Sequence, residues 1–280
     1  MSRTAPLWIT SFNRKLYEFS GKKFIQTFAN SGVKGDLLIT HEGMGEKFES
    51  EVLLSVPGPV GSKILFYDLD RDTYLQGWLK TNRDIIPRHL GGKAVQCPCP
   101  GSENLHPRQK HIRASCHWTW WNRNCSRWFR KIPSIRQAMQ MGYRYIVWID
   151  CDCWFTEDAY EFRIANILGG LDGFFLKSPH RKVPECGIVG YDLDSAYARE
   201  VIRLVEYKYD SGNFRLLDRW DDSYVWWCCT KIARRQFPHS EFNDLASEVI
   251  VRNGHVVESS RIGKYIRHNK GEHARQGLGG

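Results

Sequence analysis

The residues best placed to do chemistry lie in Tyr145-Ile-Val-Trp-Ile-Asp150-Cys-Asp152-Cys-Trp154. Five apolar residues run into two aspartates spaced by one. A buried strand that ends this way carries two carboxylates to the edge of a sheet, the place where open α/β sheets bind ligands. Without a cation the two would repel each other and one pKa would rise. A divalent cation removes the conflict. Hard oxygen donors suit Mg²⁺ or Mn²⁺, ions that usually bridge substrate phosphates. Asp150 and Asp152 are therefore the leading metal ligands. Two further triplets, Asp68-Leu-Asp70 and Asp192-Leu-Asp194, read as a strand end, a turn or a helix start.

Three other segments hold groups of the right kind. Pro184-Glu185-Cys-Gly-Ile-Val-Gly190 sets a carboxylate and two glycines before a short strand. Arg219-Trp-Asp221-Asp222 places paired acids at a helix start, where the dipole alone favours them. Tyr265-Ile-Arg-His268-Asn-Lys270-Gly271 offers an imidazole, a cation and a glycine. Each has an ordinary use as well: Glu185 as a loop carboxylate, His268 as a surface histidine.

Elements must position these groups. Leu7-Trp-Ile-Thr10 reads as a first strand, Ser11-Phe-Asn13 as a polar turn, and Leu16 to Phe28 as a helix that stops at Gly32. A second strand at Asp36–Thr40 completes a β-α-β start suited to nucleotide binding. Ile64–Tyr67 is a third strand and 73–82 a helix. After the irregular stretch 91–127, the spacing predicts a helix over 132–141 and the strand 143–149 that ends in the aspartates. A helix start at Thr156–Asp158, strands at 173–177 and 188–191, a helix capped by Ser195 and another from 218 to 229 follow. The chain thus reads as α/β, a Rossmann-type mixed sheet flanked by helices, forming one domain over 1–280.

Residues 91–127 break the rhythm with three prolines, four cysteines, three tryptophans and many basic residues. They form an insertion or small subdomain. Trp118, Trp120, Trp121 and Arg123 interleave indoles with cations, a pattern suited to nucleic acid, although the same tryptophans would also fill a subdomain core. Cys97, Cys99, Cys116 and Cys125, with His106, His111 or His117, lie close enough in sequence for a structural Zn²⁺ site, at a spacing that matches no standard zinc module. The total of nine cysteines, an odd number without a secretion signal, argues for thiols over a disulfide framework. Cys151, Cys153, Cys228 and Cys229 are expected to pack as small apolar residues.

The net charge of +9 favours a polyanionic partner. The sequence shows no twenty-residue apolar span and no signal-peptide core, so a cytoplasmic protein without membrane contact is expected. Nothing in it speaks to oligomeric state.

The strand-terminal Asp-x-Asp, the paired acids and the C-terminal His-x-Lys-Gly, in that order, resemble the GT-A class of nucleotide-sugar glycosyltransferases. The match is loose over 5–40, better over 128–271 and absent over 91–127. The resemblance implies a UDP-sugar donor with Mn²⁺ or Mg²⁺. It places Asp150 against the ribose and Asp152 on the metal, with His268 completing the metal shell and Lys270 touching the diphosphate. Lys131, ahead of the helix before the Asp-x-Asp strand, resembles a nucleotide-binding lysine. Thr10, Ser11 and Asn13, at the first strand end, are weaker donor contacts. An inverting enzyme needs a carboxylate base for the acceptor hydroxyl: Asp222, with Asp221 second. Glu185, Trp118, Trp120, Trp121 and Arg123 are assigned to the acceptor. Within the class, base J-type and bacteriophage DNA glycosyltransferases look similar in their short build. That likeness implies transfer of a hexose, glucose first, to a hydroxymethylpyrimidine in DNA, in the host cytoplasm if the protein is viral. Two other readings stay open: a cytoplasmic transferase acting on a glycan or protein, and a zinc-stabilised nucleic-acid-binding module without catalysis. The departure from the class is the cysteine on each side of Asp152, since thiols favour softer ions such as Zn²⁺.

Overall fold

The computed structural model describes residues 4–56, 61–85, 89–90, 93–94, 125–177, 182–246 and 255–268. Its organising strand is Tyr145–Ile149, whose five residues are all buried. A strand covered on both faces reads as a continuous apolar run, which is why this one is so plain in the sequence. In chain order the strands are β1 (Leu7–Asn13), β2 (Asp36–Glu42), β3 (Ile64–Asp68), β4 (Tyr145–Ile149), β5 (Cys153–Phe155), β6 (Gly173–Leu176), β7 (Glu185–Asp192), β8 (Phe242–Asp244) and β9 (Ile266–His268). Seven form one mixed sheet in the order β8-β6-β7-β4-β1-β2-β3. β1 pairs in parallel with β2 and β4, and β7 runs antiparallel between β4 and β6. β5 and β9 make a separate antiparallel pair, as do His89–Leu90 and Lys93–Ala94.

The main helices are α1 (Lys22–Asn30), α2 (Phe48–Ser55), α3 (Thr73–Thr81), α4 (Lys131–Gln140), α5 (Ala196–Asp210) and α6 (Asp222–Gln236). Side chains alternate across the sheet and feed two cores. Leu7, Ile9, Ile146 and Trp148 face a layer containing α3 to α6. Trp8, Val147 and Ile149 face a layer with α1 and α2. The architecture is therefore α/β in three layers, as expected. Among the described residues no helix is long and apolar enough to cross a membrane.

Several boundaries differ from expectation, each for a local reason. Ser11-Phe-Asn13 is strand rather than turn, because Ser11, Phe12 and Asn13 pair with Thr40, His41 and Glu42 and Phe12 is buried. Asn13 then turns the chain itself: its Oδ1 accepts from the Leu16 N–H at 3.0 Å and starts the helical stretch. That stretch widens into a π-turn over Tyr17–Gly21 before α1, and Gly32 ends it with φ +67°. The paired strand β2 runs on to Glu42 for the same reason as β1. α6 begins at Asp222, four residues later than predicted, because Asp221 caps it. Asp68 and Asp192 act as turn formers, accepting from the N–H groups of Asp70 and Asp194.

Candidate active site at the sheet edge

β4 delivers Asp150 to the carboxyl edge of the sheet, with the Asp150 N–H donating to the Gly187 carbonyl at 2.8 Å. There the chain turns tightly, Cys153 N–H bonding back to the Asp150 carbonyl at 3.0 Å, and β5 begins. This turn sends the two aspartates to different neighbours.

Asp150 joins an ion cluster. Its carboxylate lies 3.0 Å from Lys131 Nζ, and its Oδ1 accepts from Trp148 Nε1 at 2.7 Å. Lys131, buried in the first turn of α4, also lies 2.5 Å from Asp222 Oδ2 and donates to the Cys186 carbonyl at 3.0 Å. One ammonium thus ties β4, β7, α4 and α6 together. Burial opposes its charge, but Asp150 and Asp222 outweigh burial and hold the Lys131 pKa above its ordinary value. For Asp150 the balance tips the other way. Burial, opposed by Lys131 and reinforced by Asp152 and Asp222, pushes its carboxyl above the usual carboxylate range. Two carboxylates, Asp150 and Asp222, thus share one ammonium.

Gly187 stands between the carboxylates of Asp150 and Glu185. A Cβ there would sit 3.2 Å from Asp150 Oδ2, a tight contact, and at an ordinary 3.7 Å from Glu185 Oε1, so the absent side chain is what gives the Asp150 carboxylate its room.

Asp152 faces the other way, toward β9. His268 Nε2 lies 3.6 Å from Asp152 Oδ1, and the Cys153 thiol completes a group whose ligand atoms all fall within 4.8 Å of one another. Behind His268 the ring of His255 stacks at 3.8 Å and 16°. His255 Nδ1 accepts from the Val257 N–H at 3.4 Å, which leaves Nε2 turned toward Glu185 Oε2, 3.7 Å away. The donor set of carboxylate and imidazole fits a divalent cation. Asp152 and His268 are the residues that would hold one.

The paired acids have distinct places. Asp221 is a helix cap, 3% exposed, accepting from the Tyr224 N–H at 3.3 Å and held by Arg219 through two bonds of 2.8 and 2.9 Å. Asp222, next along, is the one in the ion cluster. At the end of β1, Thr10 is fully buried and Asn13 is occupied as a cap, while Ser11 is half-buried. Glu185 lies beside His255 on the same sheet edge. Cys125 is buried in the core, where burial pushes its thiol up to about 12. Lys270, Trp118, Trp120, Trp121, Arg123, Cys97, Cys99 and Cys116, with His106, His111 and His117, lie outside the described residues.

Sequence reasoning missed three participants. His255 caps a single helical turn and has no motif around it. Trp148 looked like one more apolar strand residue, yet its indole N–H fixes Asp150. Cys153 does pack as a small apolar residue, as expected, but also stands among the donor atoms; its position next to Asp152 was the available signal.

No protein-family model matches the chain, and no curated protein matches it. Among solved structures the chain is similar to mouse xyloside xylosyltransferase 1 in its apo form, with a TM-score of 0.47 and 10% identity over 86% of this chain and 84% of that one. It is also similar to the glycosyltransferase GlyE of Streptococcus pneumoniae TIGR4, with a TM-score of 0.44 and 9% identity over 87% of this chain. The match spans 45% of GlyE, so the chain corresponds to less than half of that protein's length.

Proposed function

We propose that the chain is a metal-dependent glycosyltransferase that moves a hexose, glucose first, from a UDP-sugar to a hydroxymethylpyrimidine base in DNA, acting in the cytoplasm. The observation that carries this reading is the meeting of Asp152 and His268 at 3.6 Å on the sheet edge, beside the cluster of Lys131, Asp150 and Asp222.

A divalent ion, when bound at Asp152 and His268, supplies Lewis-acid stabilisation for a leaving diphosphate. Lys270, two residues beyond His268, adds a second positive charge for the same group. Asp150, fixed by Trp148 and Lys131, offers its carboxylate to a donor hydroxyl. Asp222, aimed by Lys131, accepts the proton of the acceptor hydroxyl if the reaction inverts, and positions acceptor or sugar if it retains. Asp221 holds the helix that presents Asp222.

The charge of +9 and the indoles Trp118, Trp120 and Trp121 support a nucleic-acid acceptor. Cations meet phosphates, indoles stack on an unpaired base, and extrusion exposes the base hydroxyl. Glu185 then faces the acceptor. Mass spectrometry of nucleosides after incubating hydroxymethylated DNA with a panel of UDP-sugars tests the reading. The expected result is a gain of one hexose on the modified base, absent with Asp152→Asn. Turnover of a UDP-sugar that leaves DNA unmodified would move the acceptor to a glycan or protein, and no turnover with any donor would overturn the proposal.

A further inference from the structure

Asp152 is flanked by two cysteines that the turn treats differently. Cys151 is buried on the α1 side, where its Sγ accepts from Ser20 Oγ at 3.5 Å. Cys153 opens β5 and is the register partner of His268 in β9. Directly opposed residues of an antiparallel pair project to the same face, so thiol and imidazole are paired by the backbone itself. Donors around a four-coordinate ion, with bonds of about 2.0–2.3 Å, sit roughly 3.3–3.8 Å apart. Asp152 and His268 already stand at 3.6 Å, and the thiol lies within 4.8 Å of both. Closing the set requires the sulfur to move by on the order of 1 Å at most, given that ligand spacing. His255, stacked on His268 and held by its own bond to Val257, keeps the imidazole facing this position.

We infer that Cys153 is a third protein ligand of the ion, bound as thiolate, so that Asp152, Cys153 and His268 form an oxygen–sulfur–nitrogen set that prefers Co²⁺ or Zn²⁺ to Mg²⁺. Sulfur suits borderline and soft ions, whereas Mg²⁺ asks for six hard oxygen donors. Binding forms the metal–sulfur bond and releases the thiol proton to solvent. The inference rests on the metal site proposed above and changes which ion that site selects.

Titration of the full chain with Co²⁺, followed by the near-ultraviolet sulfur-to-cobalt charge-transfer band, tests it. The wild type should develop a band that Cys153→Ser, Cys153→Ala and His268→Gln all reduce and Cys151→Ser leaves in place. Because His268→Gln leaves the thiol untouched, it reports on the site even if a Cys153 variant folds poorly. Co²⁺ affinity should weaken at least about tenfold in Cys153→Ala, a loss that even outer partners of a metal ligand can cause. Mg²⁺ affinity should stay unchanged. Co²⁺ binding without a band, or a band untouched by Cys153→Ala and His268→Gln, would overturn the inference. UDP-sugar turnover separates it from the parent reading. Turnover with an absent band leaves glycosyl transfer standing and removes the thiolate; a band with no turnover does the reverse.

Discussion

Two halves of the sheet edge use the same residue types in opposite ways. Around Lys131, the carboxylates of Asp150 and Asp222 meet a cation supplied by the chain. Around His268, a carboxylate, a thiol and an imidazole meet as donors, with a second imidazole and Glu185 behind them. The first half is fastened from within and ties α4 and α6 to the sheet. The second is assembled where two short antiparallel strands far apart in sequence, β5 and β9, pair with Cys153 opposite His268. The difference separates carboxylates whose cation the chain itself supplies from the donor set proposed above to take one from outside. It also explains why two aspartates one residue apart do not share a role: the turn after Asp150 points one into each half.

Lys131→Met should be the most damaging change. It leaves Asp150 and Asp222 together without their ammonium, and breaking a buried pair from one side costs roughly 3–5 kcal/mol. Denaturant unfolding would show it, and adding Asp150→Asn should recover part of the loss. A loss no greater than that of a surface lysine would erase the distinction between the halves. Asp152→Asn should behave in reverse, with stability nearly unchanged and UDP release reduced by about 10²–10³, the range for removing one group that stabilises transition-state charge. Stability and turnover falling together would mean that Asp152 is scaffold.

Gly187→Ala comes next. Its Cβ would crowd Asp150 Oδ2 at 3.2 Å, and overpacking of this kind costs about 1–3 kcal/mol. Reduced unfolding free energy with intact metal binding would place the effect in the Lys131 half alone. Asp221→Asn should have the smallest effect, visible in pH dependence. Burial, against the pull of Arg219, holds the Asp221 carboxyl above its ordinary value. The folded state then takes up the proton more readily than the unfolded one, so this contribution is full below about pH 3.9 and lost as pH rises through the folded pKa. Wild-type Tm should therefore fall relative to that of Asp221→Asn as pH rises above about 3.9. A difference that grows in the wild type's favour with pH would contradict the assignment.

Much of the frame was legible because its signals are local. Five apolar residues before Asp150 marked the central strand, Ser195 the cap of α5, and Gly32 a helix end. The pairing of β1 beyond Thr10 was not legible, since Ser11 and Asn13 look like turn formers until β2 is beside them. At the site, Asp152 and His268 were found by type and order. The partnership of Lys131 with Asp222 depends on α4 and α6 meeting at β7, and that of His255 with His268 on the course of the chain after β8. Such contacts between distant segments leave no period or spacing to read.

The central claim is that a divalent ion sits between Asp152 and His268, at the end of the sheet that also carries the Lys131 cluster. Anomalous diffraction from crystals soaked with Mn²⁺ or Co²⁺ together with UDP measures it directly. A single strong peak within bonding distance of both side chains, lost in Asp152→Asn, is the predicted result. A peak elsewhere, or none while UDP is bound, would contradict it.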